Sequence, residues 1–254
     1  MRGNHVRRRL KAGEPSIGTW LSLPSPEAAE YCSQLGFDWL TVDSEHNPID
    51  IRTLAQMFAA MAASNTAPMV RIPWNSGENF KRVLDAGAWG VVVPMVRTRE
   101  EAELAVASAR YYPEGDRSVG GGRAAMSFGT TGEHYLRHAN NEILVVLQIE
   151  HMTGVENADA ILSVPGVDAC FIGPNDLAGS LGFPGQMHHP DVQRTIDEII
   201  VQARAAGKAV GVGGNSDAES VRRNILRGAT YLTLSYAGFI GRASRALLAR
   251  ARES

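Results

Sequence analysis

Cysteine is scarce in this chain: Cys32 and Cys170 are the only two in 254 residues. They sit in helix-like and strand-like contexts with no ligand spacing. That argues against a disulfide framework or a zinc cluster and favours a reduced, cytoplasmic setting. Long apolar runs are missing as well. No segment approaches the roughly 20 residues that cross a bilayer, and His5 to Lys11 is mostly basic where a secretory signal would be apolar. Net charge is nearly absent. The formal value of -2 leaves no electrostatic footprint for nucleic acid, and neither nucleic acid nor membrane is expected as a partner. The short basic run Arg7-Arg8-Arg9 is expected to be a solvated helix face. Lysine is missing where a Schiff base would need it, since Lys81 and Lys208 flank helices.

What is present is enough apolar material, 44% of residues, for a sizeable core under a surface supplied by 20% charged residues. Short strand patterns fall at 16–21, 39–43, 68–72, 90–94, 144–150, 169–173, 209–212 and 231–234. Helical patterns fall at 4–12, 26–34, 51–63, 79–86, 99–111, 157–164, 191–206, 217–226 and 239–250. Two stretches, 113–140 and 177–189, look like irregular Gly- or Pro-rich insertions. About eight strand–helix alternations with no break in composition predict an α/β fold, a (β/α)8 TIM barrel with an N-terminal helix and an extended C-terminal helix. It would be one domain over residues 1–254. A doubly wound open sheet is the alternative.

A barrel places its chemistry where strands end and loops begin. Asp43, His46, Arg71, Glu150 and Asp176 all fall there. Glu150 ends the buried run Leu144-Val145-Val146-Leu147-Gln148-Ile149, and an unpartnered carboxylate in that position is costly if desolvated. With Asp176 from the next strand it offers hard oxygen ligands for Mg²⁺ or Mn²⁺; the competing reading is a pair of salt bridges to arginines. Asp43 three residues before His46 could fix the ring tautomer of a general base. Arg71 could hold a carboxylate or an enolate oxygen, or simply pair with Asp43 or Glu45. The turn Gly173-Pro174-Asn175-Asp176 opens a short helix whose N–H groups could cradle a substrate carboxylate, or is an ordinary strand-to-helix turn. Gly120-Gly121-Gly122 lacks the Gly-Lys-Ser/Thr ending and the preceding strand of a phosphate loop. His188-His189 reads as a solvated loop pair.

These pieces, in order, resemble the class II, metal-dependent pyruvate aldolases of the 4-hydroxy-2-oxoheptanedioate aldolase / 2-dehydro-3-deoxyglucarate aldolase family. The resemblance is carried by Asp43-Ser44-Glu45-His46, Val70-Arg71-Ile72-Pro73, Leu84-Asp85-Ala86-Gly87-Ala88, Gln148-Ile149-Glu150 and Gly173-Pro174-Asn175-Asp176-Leu177. Tyr112-Pro113-Glu114-Gly115-Asp116-Arg117-Ser118 looks like the family's Pro–Gly–Arg loop. The resemblance implies reversible cleavage of 4-hydroxy-2-oxo acids to pyruvate, or a related 2-oxo acid such as hydroxypyruvate, and an aldehyde by way of a metal-stabilised enolate.

It further implies that Glu150 and Asp176 bind a divalent Mg²⁺, Mn²⁺ or Co²⁺ ion. Arg71 would stabilise the enolate, and His46, oriented by Asp43, would move a proton through water. Gln148 would support the metal ligands, and the amides of Asn175 and Asp176 would meet the pyruvate carboxylate. Asp85 would reach the site from an adjacent subunit of a homo-hexamer, two trimers with exchanged C-terminal helices. The chain departs from the sugar-acid aldolases at Asn175, at Gly211-Val212-Gly213-Gly214-Asn215 and at Leu234-Ser235-Tyr236, and these departures bear on the aldehyde partner. Two other readings compete. One is a carbon–carbon lyase on CoA thioesters of the citrate lyase β type, which expects a basic patch that is not obvious here. The other is a non-catalytic keto-acid-binding barrel, which needs the acidic pair but not His46.

Overall fold

The computed structural model describes residues 1–253; Ser254, the last residue of the expected domain, lies outside them. Eight parallel strands form a nearly closed barrel: β1 (Ser16–Leu21), β2 (Trp39–Asp43), β3 (Ala67–Arg71), β4 (Gly90–Val93), β5 (Leu144–Ile149), β6 (Ala169–Ile172), β7 (Ala209–Val212) and β8 (Tyr231–Ser235). From β1 to β7 each strand pairs with the next in sequence. β8 then returns to β1 in a register running from Ser16 opposite Tyr231 to Trp20 opposite Ser235. That return distinguishes the barrel from a doubly wound sheet, in which the strand order reverses at an internal switch point.

The helices, in chain order, are α1 (His5–Lys11), α2 (Pro26–Ser33), α3 (Ile51–Ala60), α4 (Gly77–Asp85), α5 (Arg99–Ala109), α6 (Gly122–Ser127) and α7 (Gly132–Glu142). They continue as α8 (Met152–Glu156), α9 (Ala158–Leu162), α10 (Pro174–Ser180), α11 (Pro190–Ala205), α12 (Ala218–Arg227) and α13 (Tyr236–Arg252). Local chemistry sets many of their starts. Ser25, Asp50, Ser76 and Thr98 each accept the N–H three residues on, satisfying a donor the helix itself cannot.

α1 packs against the N-terminal end of the barrel. Asn4 donates from its side chain to the carbonyls of Trp89 and Glu142 at 3.0 and 2.9 Å, and Val6 and Leu10 are buried beneath it. The expectation of a fully solvated Arg7-Arg8-Arg9 face is corrected here. Arg7 is largely buried and pairs with Asp168 at 2.8 Å, while Arg9 donates to the Pro15 carbonyl at 2.7 Å.

Other expected elements also differ from the structure. The stretch 113–140 is irregular only up to Gly121; α6 and most of α7 occupy the rest. Its polar composition hid the helices, because α7 buries only Tyr135 and Ala139, one turn apart. Phe128, just after α6, stacks on Trp89 with ring centroids 4.6 Å apart. The expected helix over 157–164 is the shorter α9, and the unexpected α8 precedes it; the two meet at Asn157, whose side chain donates to the Arg97 carbonyl at 3.0 Å. The insertion expected at 177–189 begins inside α10, and α13 starts at Tyr236, directly after β8 and three residues earlier than its sequence pattern suggests.

Inside the barrel an aromatic column rises toward the C-terminal mouth. Trp39 stacks on Tyr231 at 4.3 Å, Tyr231 meets the edge of Phe171 at 6.2 Å, and Phe171 leans on Trp20 at 5.5 Å. Gly18, opposite Trp39 in the β1–β2 register, makes the lowest rung possible, since a Cβ there would lie 2.1 Å from the Trp39 ring. The indole cannot move aside without giving up its stack on Tyr231. Gly18→Ala is therefore expected to lower stability by about 1–3 kcal/mol through overpacking. Urea unfolding followed by circular dichroism reads this directly, and an unchanged midpoint would show that the column has slack.

Candidate active site

At the mouth, the aromatic column ends under a guanidinium. Arg71, the last residue of β3, lies with its Cζ 4.5 Å from the centre of the Trp20 ring. Its Nε and Nη2 both donate to Asp43, each at 2.8 Å, a bidentate pair between neighbouring strand ends. Its Nη1 lies 2.9 Å from Glu45 Oε2, so one cation stands between two carboxylates. Burial works against the Arg71 charge, but Asp43, Glu45 and Glu150 together hold its proton above the ordinary arginine value. Of the two readings of Arg71, the ion pair is therefore present, and it involves both acids.

His46 and Asp43 are not joined as expected. The Asp43 oxygens are taken by Arg71, by the Asn47 side chain at 2.6 Å and by the Glu45 N–H at 3.3 Å. The partner of His46 is Glu45, with 3.5 Å between Nε2 and Oε2 and an imidazole 64% exposed. The structure thus gives Asp43 to the guanidinium and loop, and Glu45 to the space between Arg71 and His46. Burial raises the Glu45 carboxyl above its usual range; Arg71 and His46 oppose this, and Asp43 and Asp176 add to it.

Glu150 follows β5 and is 2% exposed. Its Oε1 accepts the Met95 N–H at 3.0 Å and its Oε2 accepts the Gln148 amide at 2.5 Å. Met95 has φ 56, a left-handed backbone that a side chain rarely adopts, and this turn after β4 delivers its N–H to the carboxylate. Gly173 clears the other side, because a Cβ at that position would lie 2.2 Å from Glu150 Oε2. Burial pushes the Glu150 carboxyl up to about 7; the two hydrogen bonds resist, and Asp176 and Glu45 push it further. Among the described residues no arginine or lysine forms a salt bridge with Glu150 or Asp176, so the competing salt-bridge reading of that pair is not realised.

A cavity of about 280 Å³ opens at this point, and Trp20, His46, Arg71, Gln148 and the turn Gly173-Pro174-Asn175-Asp176 all line it. Gly173 begins α10 without a side-chain cap, so the first-turn N–H groups of Asn175 and Asp176 have no partner within the helix. Asp85 is the expected site residue that lies elsewhere. It ends α4, at the barrel's N-terminal end, where it accepts from Arg117 at 2.9 Å.

The residues fit a divalent cation. Glu150 is a buried carboxylate next to two others, and Gln148 Oε1 beside it is buried without a hydrogen-bond partner. Among the described residues no three His, Cys, Asp or Glu side chains gather as a complete cage. Mg²⁺-like ions need only one or two protein carboxylates and leave positions for substrate and water.

Sequence reasoning offered Glu45 only as an ion-pair partner of Arg71, which the structure bears out, and assigned no role to Trp20 or Met95. Glu45 shares the polar exit of β2 with Asp43 and His46, which was its available signal. Trp20 looked like core, and the Met95 contribution is a backbone dihedral with no sequence signature.

Comparison with known proteins shows the family. The sequence model of the HpcH/HpaI aldolase/citrate lyase family matches residues 16–239. A 5-keto-4-deoxy-D-glucarate aldolase of Salmonella paratyphi C (strain RKS4594) is 43% identical over 231 residues, 91% of this chain and 90% of that protein. The crystal structure of an HpcH/HpaI aldolase/citrate lyase family protein from Burkholderia cenocepacia J2315 superposes with a TM-score of 0.92 at 38% identity, covering 98% of this chain and 100% of that one. That of an HpcH/HpaI aldolase from Desulfitobacterium hafniense DCB-2 gives 0.91 at 30% identity, covering 98% and 96%.

The close approach of Gly173 to Glu150 generates a prediction. Gly173→Ala should keep the fold but displace the carboxylate, weakening Mn²⁺ binding by about 10–100-fold. Isothermal titration calorimetry would read it, and native affinity in that variant would contradict the placement of Glu150.

Proposed function

The chain belongs to the HpcH/HpaI aldolase/citrate lyase family and is a carbon–carbon lyase, and from that premise we propose that it splits 4-hydroxy-2-oxo acids into pyruvate and an aldehyde at the barrel mouth. The observation that carries this reading is the buried Glu150, paired with no arginine or lysine among the described residues, beside Asp176 and the paired Arg71. The name of the Salmonella relative makes 5-keto-4-deoxy-D-glucarate the first substrate to try. Pyruvate, or a related 2-oxo acid such as hydroxypyruvate, serves as donor in the reverse direction.

Glu150 and Asp176 hold a divalent Mg²⁺, Mn²⁺ or Co²⁺ ion, with Gln148 fixing the Glu150 oxygen. When bound, the cation supplies Lewis-acid polarisation of the substrate keto group. Asn175 and Asp176 offer backbone N–H groups to the substrate carboxylate at the start of α10. Arg71, held rigid by Asp43 and Glu45 and stacked on Trp20, presents its remaining N–H groups to charge developing on the keto oxygen. His46, poised by Glu45, takes the 4-hydroxyl proton through water as the C3–C4 bond breaks. The same proton path returns a proton to C3 of pyruvate.

Asp85 lies at the wrong end of its own barrel to take part in its own site, where it pairs with Arg117. We infer from the family resemblance that it reaches the site of a neighbouring copy in a homo-hexamer of two trimers with exchanged C-terminal helices. The exposed Ile240, Leu247 and Leu248 of α13, 57%, 67% and 45% accessible, are apolar surface for such an exchange to cover. No helix among the described residues is long and apolar enough to cross a membrane, and we place the protein in the cytoplasm.

Exchange of the pyruvate methyl protons with D₂O tests the chemistry without an aldehyde. Mn²⁺ should support it in the native protein, and EDTA should abolish it. His46→Ala should slow exchange by about 10²–10⁴-fold while pyruvate still binds; Glu150→Gln should prevent rescue by added metal. Exchange that survives chelation, with pyruvate trapped on lysine by borohydride, would overturn this mechanism.

A further inference from the structure

β7 and β8 are the two ends of the hydrogen-bonded strand order, so the barrel closes between them without a strand register. Near the N-terminal end the Thr230 N–H donates to the Val210 carbonyl at 2.9 Å. At the mouth a side chain joins the strands. Asn215, 6% exposed, donates from Nδ2 to the Val212 carbonyl of β7 at 2.8 Å and to the Thr233 carbonyl of β8 at 3.0 Å. Its Oδ1 accepts from Asn224 of α12 at 2.7 Å. A primary amide has two donors and one acceptor oxygen, so every polar group of Asn215 is engaged and its orientation is set by its partners. Asn224 in turn accepts from Arg227 at 3.2 Å, and Arg227 reaches Asp197 of α11 at 2.7 Å.

This seam is also a wall of the cavity. Arg71, Gln148 and the Gly173–Asp176 turn line one side, while Gly213, Gly214, Asn215, Thr233 and Ser235 line another. With the keto-acid end of a substrate engaged by the first group, the aldehyde end is left to lie against the second. We propose that Asn215 is a positioning residue whose bridge between β7 and β8 sets the shape of the aldehyde half of the cavity, and thereby selects the aldehyde. The proposal rests on the aldolase reading above.

The physical basis is the pair of strand-end carbonyls. Without the Asn215 amide both lose a buried donor, a loss that favours local rearrangement. Asn215→Asp is the sharpest probe, being equal in size but turning an acceptor toward two carbonyl oxygens. Asn224→Ala is the milder probe, since it leaves both seam bonds and removes only the amide's anchor and one of the Arg227 contacts. The measurements are pyruvate proton exchange with Mn²⁺, the KM and kcat for cleavage of pyruvate adducts of a two-carbon and a four-carbon aldehyde, and the melting temperature.

Asn224→Ala should exchange pyruvate protons within about twofold of native. The KM for cleavage should rise about tenfold in Asn215→Asp and less in Asn224→Ala, and the preference between the two adducts should change. Exchange and cleavage falling together in both variants, or a lower melting temperature with unchanged kinetics, would overturn the proposal and leave Asn215 a purely structural latch. Should Asn215→Asp not fold, Asn224→Ala with native adduct preference and native KM overturns it equally. A native protein that neither exchanges nor cleaves would remove the aldolase reading itself, which distinguishes that failure from failure of the seam.

Discussion

One guanidinium among four carboxylates is the constraint on which the mouth of this barrel depends. Arg71 is shared by Asp43 and Glu45, while Glu150 is buried nearby with hydrogen bonds but no cation, and Asp176 adds to the local negative potential. Taking a carboxylate out of water costs several kcal/mol unless an opposite charge or protonation compensates. The raised Glu150 carboxyl is that cost expressed as proton affinity. A divalent cation resolves it and leaves room for a chelating substrate. The same excess of negative charge is therefore the basis of the site's chemistry.

The fold serves this cluster from several directions. Parallel strands bring Asp43, Arg71 and Glu150 to one end of the barrel because each lies at or beside a strand terminus. The column from Trp39 through Tyr231 and Phe171 to Trp20 fills the interior beneath and gives Arg71 an aromatic floor. The strained Met95 turn and the missing side chain at Gly173 hold Glu150 from both sides. α1 covers the opposite end, tied down by Asn4 and Arg7. Rigidity below and adaptable loops above is the division of labour common to barrel enzymes.

Much of this was legible in the sequence. The eight strands announce themselves as short, largely apolar runs, and the acids, the arginine and the histidine fall at or just past the ends of several of them. The resemblance named from five short motifs agrees with the family match. What was hidden is instructive. Asp43 and His46 suggested a dyad by spacing, but Asp43 is bound to a guanidinium that arrives from the next strand, a tertiary contact no local pattern carries. The place of Glu45 between Arg71 and His46 is a tertiary contact of the same kind. α6 and α7 escaped because so little of their surface is apolar, and Arg7 escaped because its partner, Asp168, lies 161 residues away in the chain. Only the closed barrel shows that Asn215 spans a seam between β7 and β8.

The central claim is that Glu150 and Asp176 share one cation at the mouth. Crystals grown with Mn²⁺ and pyruvate, with diffraction recorded at the manganese edge, test it most directly. The account predicts a single anomalous peak within about 2.0–2.6 Å of a carboxylate oxygen from each residue, with the pyruvate carboxylate and keto oxygens completing the shell. A peak held by other side chains, or pyruvate ordered at the mouth with no metal between it and the two acids, would contradict it.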